Sequence, residues 1–161
     1  MMKAMKYLLV AFAILVASTF STAQNSSSNV FEAPSFDDIS KCKGVTSIYI
    51  SKLMMKTMGG LALGDQRISA IAQDLNSIEI ISCENNEMFD AINNKVENII
   101  SDNKLEILAK VNDEGEKVGI YGYVEGENVT YLLMTVDDND ELVLISMSGK
   151  IPLDKVAELT Q

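Results

Sequence analysis

The chain has 161 residues, and its 23 acidic residues outnumber its 13 basic residues. It contains two cysteines and no histidine. The length allows one domain with a sizeable core. The acidic excess argues against nucleic-acid binding, because it repels phosphate backbones. Without histidine the commonest general base is missing, and no catalytic zinc site is expected.

The first segment, Met1–Ala23, has the pattern of a secretory signal peptide. Lys3 and Lys6 precede an apolar run, Tyr7–Val16, and small residues close the segment. The apolar run is half as long as the ~20 residues that a membrane span requires. We predict cleavage before Gln24 and a soluble exported product, periplasmic or extracellular, with no stable membrane insertion. The mature chain would carry a formal charge of −12.

The predicted elements follow in chain order. Gln24–Ala33 is polar and rich in Ser and Asn, which is typical of a disordered leader. Residues 34–161 are expected to form a single domain. Phe36–Cys42 indicates a short helical turn, Gly44–Ser51 a strand, and Leu53–Met58 a helix.

The middle of the chain continues with helix, strand and helix. Asp65 is a good N-cap for a helix whose apolar residues recur at helical spacing, namely Ile68, Ile71, Ala72 and Leu75. Ser77–Cys83 predicts the second strand. Asn85–Ser101 predicts the longest helix, with an apolar stripe made of Met88, Ile92, Val96, Ile99 and Ile100.

The segment Lys104–Gly149 predicts four β-strands joined by three short polar turns. The strands are rich in Val, Ile, Leu, Tyr and Thr, and they span Lys104–Asn112, Lys117–Glu125, Asn128–Val136 and Glu141–Gly149. Connections this short join only antiparallel neighbours, so the order of the strands should follow the chain. The last two strands are apolar on both faces, which predicts that both of their faces are covered.

Two sets of apolar side chains are candidate binding surfaces. The thioethers of Met54, Met55 and Met58 either fill the core or form an adaptable surface. On the less covered face of the meander we expect a patch that either binds a partner or is covered by other parts of the chain, made of Leu108, Tyr121, Tyr123, Leu132 and Met134. The two tyrosine rings suit stacking on a sugar or base, or packing across strands.

The two cysteines of the mature chain are Cys42 and Cys83. A disulfide between them is feasible if the strands that they adjoin are antiparallel neighbours, because bonded Cα atoms lie within about 7 Å. The helical connection between Gly44–Ser51 and Ser77–Cys83 favours a parallel pair, which places the cysteines at opposite ends. Two buried free thiols are therefore the preferred expectation.

No motif indicates catalysis or a cofactor. Asp137–Glu141 either binds calcium through its oxygens or forms a solvated hairpin turn. The turn is favoured, because the segment lacks the glycine and the spaced terminal glutamate of an EF-hand. Ser101-Asp102-Asn103-Lys104 matches two motifs of serine acyl-enzymes, but they overlap at one helix exit and are read as coincidence. We expect no cofactor, no metal and no catalytic residue.

The whole pattern predicts an α+β fold in one domain. Pro152 fits the first turn of a short terminal helix. This helix would pack on the rest of the domain through Leu153, Val156 and Leu159. The order is then strand, helix, strand, helix, four strands and helix. We expect a mostly antiparallel sheet that ends in the four-stranded meander, with the helices packed on one face.

Several structural motifs carry a family resemblance: the signal peptide, Gly44–Lys52, Ile78–Asn85, Gly115–Val118, and Asp137–Ile145 followed by Gly149. With these motifs the layout resembles an uncharacterised family of small exported Bacteroidota proteins, defined only as a domain of unknown function. The resemblance brings no catalytic residues, and the cysteine pair is not a signature of that family. Some members are encoded near extracytoplasmic-function sigma-factor systems, so the resemblance implies an envelope role.

The sequence therefore predicts a non-catalytic binding or interaction module of the bacterial envelope. Its partner is expected to be an envelope protein or a small ligand. One alternative is a carboxylate-based hydrolase outside the cytoplasm, which needs two acidic side chains about 5–10 Å apart in a cleft. Another is a structural component that self-associates through its edge strands.

Overall fold

The computed structural model describes residues 31–58 and 71–158. Its strands are β1 (Val45–Ser51), β2 (Leu75–Cys83), β3 (Glu106–Asp113), β4 (Glu116–Glu125), β5 (Asn128–Asp137) and β6 (Leu142–Pro152). The helices with assigned bounds are α1 (Asp37–Ser40), α2 (Lys52–Met58), α3 (Phe89–Asp102) and α4 (Leu153–Glu158). A 3-10 turn, Asn86–Met88, precedes α3. The predicted α+β class is confirmed.

Some predicted segments lie outside the described residues. These are the signal peptide, most of the leader, and most of the helix expected from Asp65. Of its predicted apolar residues, Ile71 and Ala72 are described and helical, whereas Leu75 begins strand β2. Within the described ranges no helix is long and apolar enough to cross a bilayer.

The six strands form one antiparallel sheet in the order β1-β2-β6-β5-β4-β3. The four strands of the predicted meander are neighbours in chain order, as expected from their short connections. Gly115 and Gly126 take positive φ angles of 98° and 62° in the tight turns on either side of β4, a conformation that glycine adopts without strain. The pairing of β2 with β6 then joins the meander to the first two strands.

β1 and β2 are antiparallel neighbours, so the prediction of a parallel pair is wrong. A parallel crossover needs a dozen or more connecting residues, but a connection of that length does not require a crossover. Val45 pairs with Cys83, which puts Cys42 and Cys83 at the same end of the sheet. Both are free thiols; Cys83 is buried, whereas Cys42 is half-buried, with its Sγ donating to the Asp38 carbonyl oxygen 3.4 Å away.

One side of the sheet, here called the α3 face, is covered by α3. Strand alternation puts Tyr131 and Leu133 of β5 on this face, where both are fully buried. The helix packs on them and on β6 through one apolar stripe, Ile92, Val96 and Ile99. Full burial of each such side chain contributes about 1.5–3 kcal/mol. The spacing of the stripe is the one that the sequence predicts.

The opposite side, here called the α2 face, holds a second core. Leu132 and Met134 of β5 lie on it and are fully buried. Helical residues that pack there are Met55 of α2, Ile71, and Val156 of α4. Helices therefore cover both faces of the sheet, whereas the sequence predicts helices on one face. Met55 fills the core, as one reading of the methionines expected, whereas Met54 is exposed.

A β-bulge at Leu108 changes which residues of β3 share a face. Ile107 pairs with Tyr121, but Ala109 pairs with Ile120, so Leu108 is an extra residue in the ladder. The alternation of side chains between the two faces is therefore broken at the centre of β3. Ile107 lies exposed on the α3 face, and Ala109 packs on the α2 face. Bulges on an edge strand such as β3 discourage pairing with other chains.

Side-chain hydrogen bonds cap both ends of the unit formed by the 3-10 turn and α3. The Asn85 side chain accepts a hydrogen bond from the backbone N–H of Glu87, at 3.1 Å, and so begins the 3-10 turn. At the other end the Asn103 amide donates to the carbonyl of Ile99, at 2.9 Å, and satisfies one of the last free carbonyls. The segment Ser101–Lys104 therefore contains the end of the helix, as the sequence predicts.

Candidate ligand-binding cleft

A cleft opens on the α3 face, beside the two outer strands of the meander. α3 buries its apolar stripe against β5 and β6, so the neighbouring surface of β3 and β4 stays partly exposed. The cleft has a volume of about 430 Å³, within the range of about 300–1,000 Å³ found for small-ligand sites. Its polar lining comes from Asn93, Glu97, Lys110, Asn112, Lys117, Tyr121, Thr135 and Asp137.

Gly119, at the centre of β4, forms the floor of the cleft. A Cβ atom at this position would lie 2.6 Å from Cε2 of Tyr121 and 2.9 Å from Oγ1 of Thr135. The Tyr121 ring therefore leans over the glycine and occupies the space of the missing side chain. Lys110, the cross-strand partner of Gly119, holds its Nζ 5.8 Å from the centroid of that ring. This distance is within the ~6 Å range of a cation–π interaction.

The charges that line the cleft are balanced. Lys110 and Lys117 extend from the sheet, and Glu97 of α3 and Asp137 of β5 oppose them in sign. Lys117 and Asp137 are direct cross-strand neighbours, and such a pair of opposite charges stabilises a sheet by about 0.2–1 kcal/mol. Between the charged groups lie amide and hydroxyl groups that both donate and accept hydrogen bonds. A lining of this kind matches ligands that carry hydroxyl groups.

The five residues predicted as a binding patch lie on both faces of the sheet. The pairing of Tyr121 with Leu133 puts both on the α3 face. Leu132 and Met134 therefore point into the α2-face core, each 1% exposed, and Leu108 packs against the same core. The prediction of one shared patch is wrong because β5 is apolar on both sides, so its alternation does not show which residues face which way. Tyr121 lines the cleft.

Tyr123 belongs to an aromatic cluster next to the cleft. Its ring stacks on Phe31 with centroids 4.4 Å apart, and Phe31 also contacts Tyr131 at 5.3 Å. The packed chain thus reaches back into the segment predicted as a leader. Burial raises the pKa of Tyr131 to about 12. The buried hydroxyl has no hydrogen-bond partner among the described residues.

Two carboxyl groups with raised pKa values lie outside the cleft. Burial, and after it the negative charge of Asp37, raises the pKa of Glu79 on β2, while a hydrogen bond with Ser47 opposes the rise. Burial and two neighbouring carboxylates raise the pKa of Glu116. Neither residue lines the cleft.

The acidic turn between β5 and β6 is held by its own hydrogen bonds. Asp138 Oδ1 accepts from the N–H groups of Asp140, at 3.0 Å, and Glu141, at 2.7 Å. The Asn139 amide donates to the carbonyl of Gly115, at 2.9 Å, and ties the turn to the β3–β4 hairpin. These are the contacts of a polar turn. In the described part of the chain no group of three or more Cys, Asp or Glu side chains is arranged to hold a metal ion.

Sequence reasoning missed most of the cleft, although one signal for it exists. Gly119 lies inside strand β4, and a glycine inside a strand often marks a place where another group approaches closely. Lys110 faces the cleft because the Leu108 bulge shifts the pairing of β3. Thr135 has no distinguishing signal, since threonine is common on any sheet.

Comparisons with known proteins place the chain in one family. No curated protein and no solved structure matches this chain. A family model does match, and the matched residues include all six strands and the whole lining of the cleft. Residues 39–159 match the model described as a domain of unknown function, DUF4252, and the chain belongs to that family.

Proposed function

We propose that this chain is an exported, non-catalytic binding module of the bacterial envelope, and that its cleft binds a sugar or a short glycan. The observation that carries this proposal is the lining of the cleft, where balanced charges alternate with amide and hydroxyl groups beside a tyrosine ring. The volume of about 430 Å³ suits a ligand of one to a few sugar rings.

The charge balance decides between ligand classes. A phosphate or a carboxylate would gain from Lys110 and Lys117 but would be repelled by Glu97 and Asp137. A neutral hydroxyl donates to a carboxylate and accepts from an ammonium group, so it uses both kinds of charge. The Tyr121 ring adds an apolar wall of the kind that packs against the C–H face of a sugar ring.

Export is supported by the sequence pattern of Met1–Ala23 and by the envelope role that the family resemblance implies. Glycans are abundant ligands in that compartment. Cell fractionation tests this part: the protein should occur outside the cytoplasm with Gln24 as its first residue. Recovery of the uncleaved chain from the cytoplasm would contradict it.

Binding is tested by NMR on the ¹⁵N-labelled mature protein, titrated with chitotriose, maltotriose and mannotriose. We expect at least one sugar to shift the backbone amide signals of Gly119, Tyr121 and Thr135. Tyr121→Ala and Lys110→Met should each weaken that binding about tenfold, which corresponds to ~1.4 kcal/mol. Lys104→Met is the matched control, because this exposed lysine lies outside the cleft lining.

Two results would count against the proposal. Signals that stay unchanged with all three sugars, or that shift only at residues outside the cleft, would remove the cleft as a sugar site. New reducing ends during the titration would show hydrolysis and favour the carboxylate-based hydrolase. In that case Glu97→Gln or Asp137→Asn should abolish the release.

A further inference from the structure

Among the described residues, β1 is a free edge of the sheet that lacks the usual protection against pairing. Edge strands are commonly shielded by charged residues, proline or bulges. The opposite edge, β3, has such protection, since it carries Glu106, Lys110 and Asp113 and the bulge at Leu108. β1, Val45–Ser51, contains no charged residue and no proline, and its pairing with β2 is regular over its whole length.

The register shows which backbone groups of β1 face outward. The Glu84 N–H donates to the carbonyl of Gly44, so this is a hydrogen-bonded pair of the antiparallel ladder. Such pairs alternate along the strand. The N–H and C=O groups of Ser47, Tyr49 and Ser51 therefore point away from β2, toward the open edge. They form a ready row of donors and acceptors for one more strand.

Exposed apolar side chains lie beside this row. Tyr49 is 66% exposed and Ile48 is 47% exposed, although both are in a regular strand. The next element, α2, adds Leu53 at 75% and Met54 at 53%. Ile48 points to the α2 face and Tyr49 to the α3 face, so the outward edge of β1 and the adjoining α2 combine backbone groups with apolar side chains on both sides of the edge. We call this region the β1 edge surface.

The charge around the β1 edge surface differs from that of the rest of the chain. Residues 39–64 contain no acidic residue, although the whole chain has 23. They do contain Lys41, Lys43, Lys52 and Lys56, and all four are exposed. Two precede β1 and two follow it, so positive charge stands at both ends of the strand. Acidic residues near β1 are Glu79 of β2, Glu84 just after that strand, and Asp37 of α1, whose negative charge acts on Glu79.

We propose that β1 receives an extended peptide of a partner protein as a seventh strand, with an apolar centre and acidic residues at both ends. The outward groups of Ser47, Tyr49 and Ser51 give it main-chain hydrogen bonds, as in other cases of strand addition. Its apolar side chains lie against Ile48 and Leu53. The flanking lysines pair with its acidic ends and so select for sequence as well as for shape.

The same lysines act against pairing with a second copy of this chain. If two β1 strands paired antiparallel about Ile48, Gly44 of one copy would face Lys52 of the other. Lys43 would then lie next to Lys52 at both ends of the pair, and like charges in such positions are destabilising. A lipid surface would leave the outward backbone groups of β1 without hydrogen-bond partners. An acidic strand satisfies both requirements.

The experiment is fluorescence anisotropy with the mature protein and a labelled peptide of sequence EDVTVTVDE. We expect this peptide to bind at least tenfold more tightly than the lysine version KKVTVTVKK, and the difference to shrink as salt is raised. The double variant Lys43→Glu, Lys56→Glu should weaken binding at least tenfold. A control double variant, Lys104→Glu, Lys150→Glu, makes the same change in net charge away from β1 and should bind normally.

A second variant tests the backbone part. Tyr49→Pro removes one outward N–H but no ladder bond to β2, and it should weaken peptide binding while far-UV circular dichroism stays unchanged. Absence of binding to the acidic peptide, equal binding of both peptides, or normal binding by the charge-reversed variant would overturn the proposal. So would a homodimer in analytical ultracentrifugation that Lys43→Glu strengthens, or binding to phosphatidylglycerol vesicles in place of the peptide. None of these measurements depends on the sugar cleft.

Discussion

The Tyr121 ring lies over the backbone of Gly119, two residues earlier on the same strand. A Cβ atom at Gly119 would come within 2.6 Å of Cε2 and 2.7 Å of the hydroxyl oxygen of this tyrosine. The glycine thus decides where the ring lies, and the ring forms one wall of the cleft. The shape of this wall therefore depends on the lack of a Cβ atom at Gly119.

Gly119→Ala should therefore displace the Tyr121 ring into the cleft. We expect the NMR signals of the ring to move and the binding of any cleft ligand to weaken. Because the ring tip can swing away, the loss in the free energy of unfolding should be only about 1 kcal/mol. Gly122→Ala is the control, since its Cβ would meet Leu108 on the opposite face. Ring signals that move equally in both variants would contradict this role of Gly119.

Gly149→Ala should be much more damaging than either of those changes. A Cβ atom there would overlap the carbonyl oxygen of Asp74 and lie 2.8 Å from Cα of Leu75. This backbone cannot swing away, because the Asp74 carbonyl also accepts a hydrogen bond from the Lys150 N–H at 2.8 Å. We expect a loss of about 3 kcal/mol in the free energy of unfolding, measured with urea.

Gly126→Ala provides the comparison for that experiment. Gly126 has a positive φ of 62° in the β4–β5 turn, but no atom lies near its missing Cβ. Alanine there meets only the strain of the left-handed conformation, about 1–2 kcal/mol. If Gly149→Ala cost no more than Gly126→Ala, the close approach of Asp74 to β6 would not contribute to stability.

Tyr131→Phe should leave the protein equally stable or make it more stable. The hydroxyl of Tyr131 is buried and has no hydrogen-bond partner among the described residues, and such a group costs about 1–3 kcal/mol. Removal of the oxygen keeps the ring and its contact with Phe31. Urea unfolding should show a gain of about 1 kcal/mol, whereas Tyr123→Phe, at a half-buried ring, should change little. A clear loss for Tyr131→Phe would mean that its hydroxyl is bonded.

How much of this fold the sequence predicted depended on how plainly each strand alternates. β4 alternates clearly in sequence, and the structure has Val118 and Ile120 on the α2 face and Tyr121 on the α3 face. β5 is apolar at every central position, and Leu132 was assigned to the wrong side. Composition marks such a strand as buried on both faces but contains no information on its rotation about its own axis.

The remaining differences come from contacts between distant parts of the chain. The Leu108 bulge depends on how β3 pairs with β4 and has no local sequence signature. The sequence predicts that Pro152 lies in the first turn of a helix, but Pro152 ends β6 opposite Asn128. Proline is tolerated at both kinds of position, because neither requires a backbone N–H group. The cleft depends on the same bulge, because the bulge places Lys110 across from Gly119.

The pH dependence of stability should reveal the raised pKa of the Glu79 carboxyl. Burial and the nearby Asp37 raise the pKa of its carboxyl in the folded chain above the ordinary value of 4.5. Below pH 4.5 the group is protonated in both the folded and the unfolded chain and has no net effect. As the pH rises above 4.5, the unfolded chain ionises more readily, so the free energy of unfolding falls. Glu79 therefore destabilises the fold at neutral pH.

Glu79→Gln removes this effect and keeps an oxygen that can accept the hydrogen bond from Ser47. The variant should be more stable than the wild type at pH 7, and the difference should shrink toward pH 4. Thermal unfolding across that range measures this difference, with Glu84→Gln, an exposed residue just after the same strand, as the control. A difference that stays constant with pH would trace the effect to packing. One that grows toward pH 4 would mean that the folded chain favours the charged carboxylate, as a site built to bind a cation would.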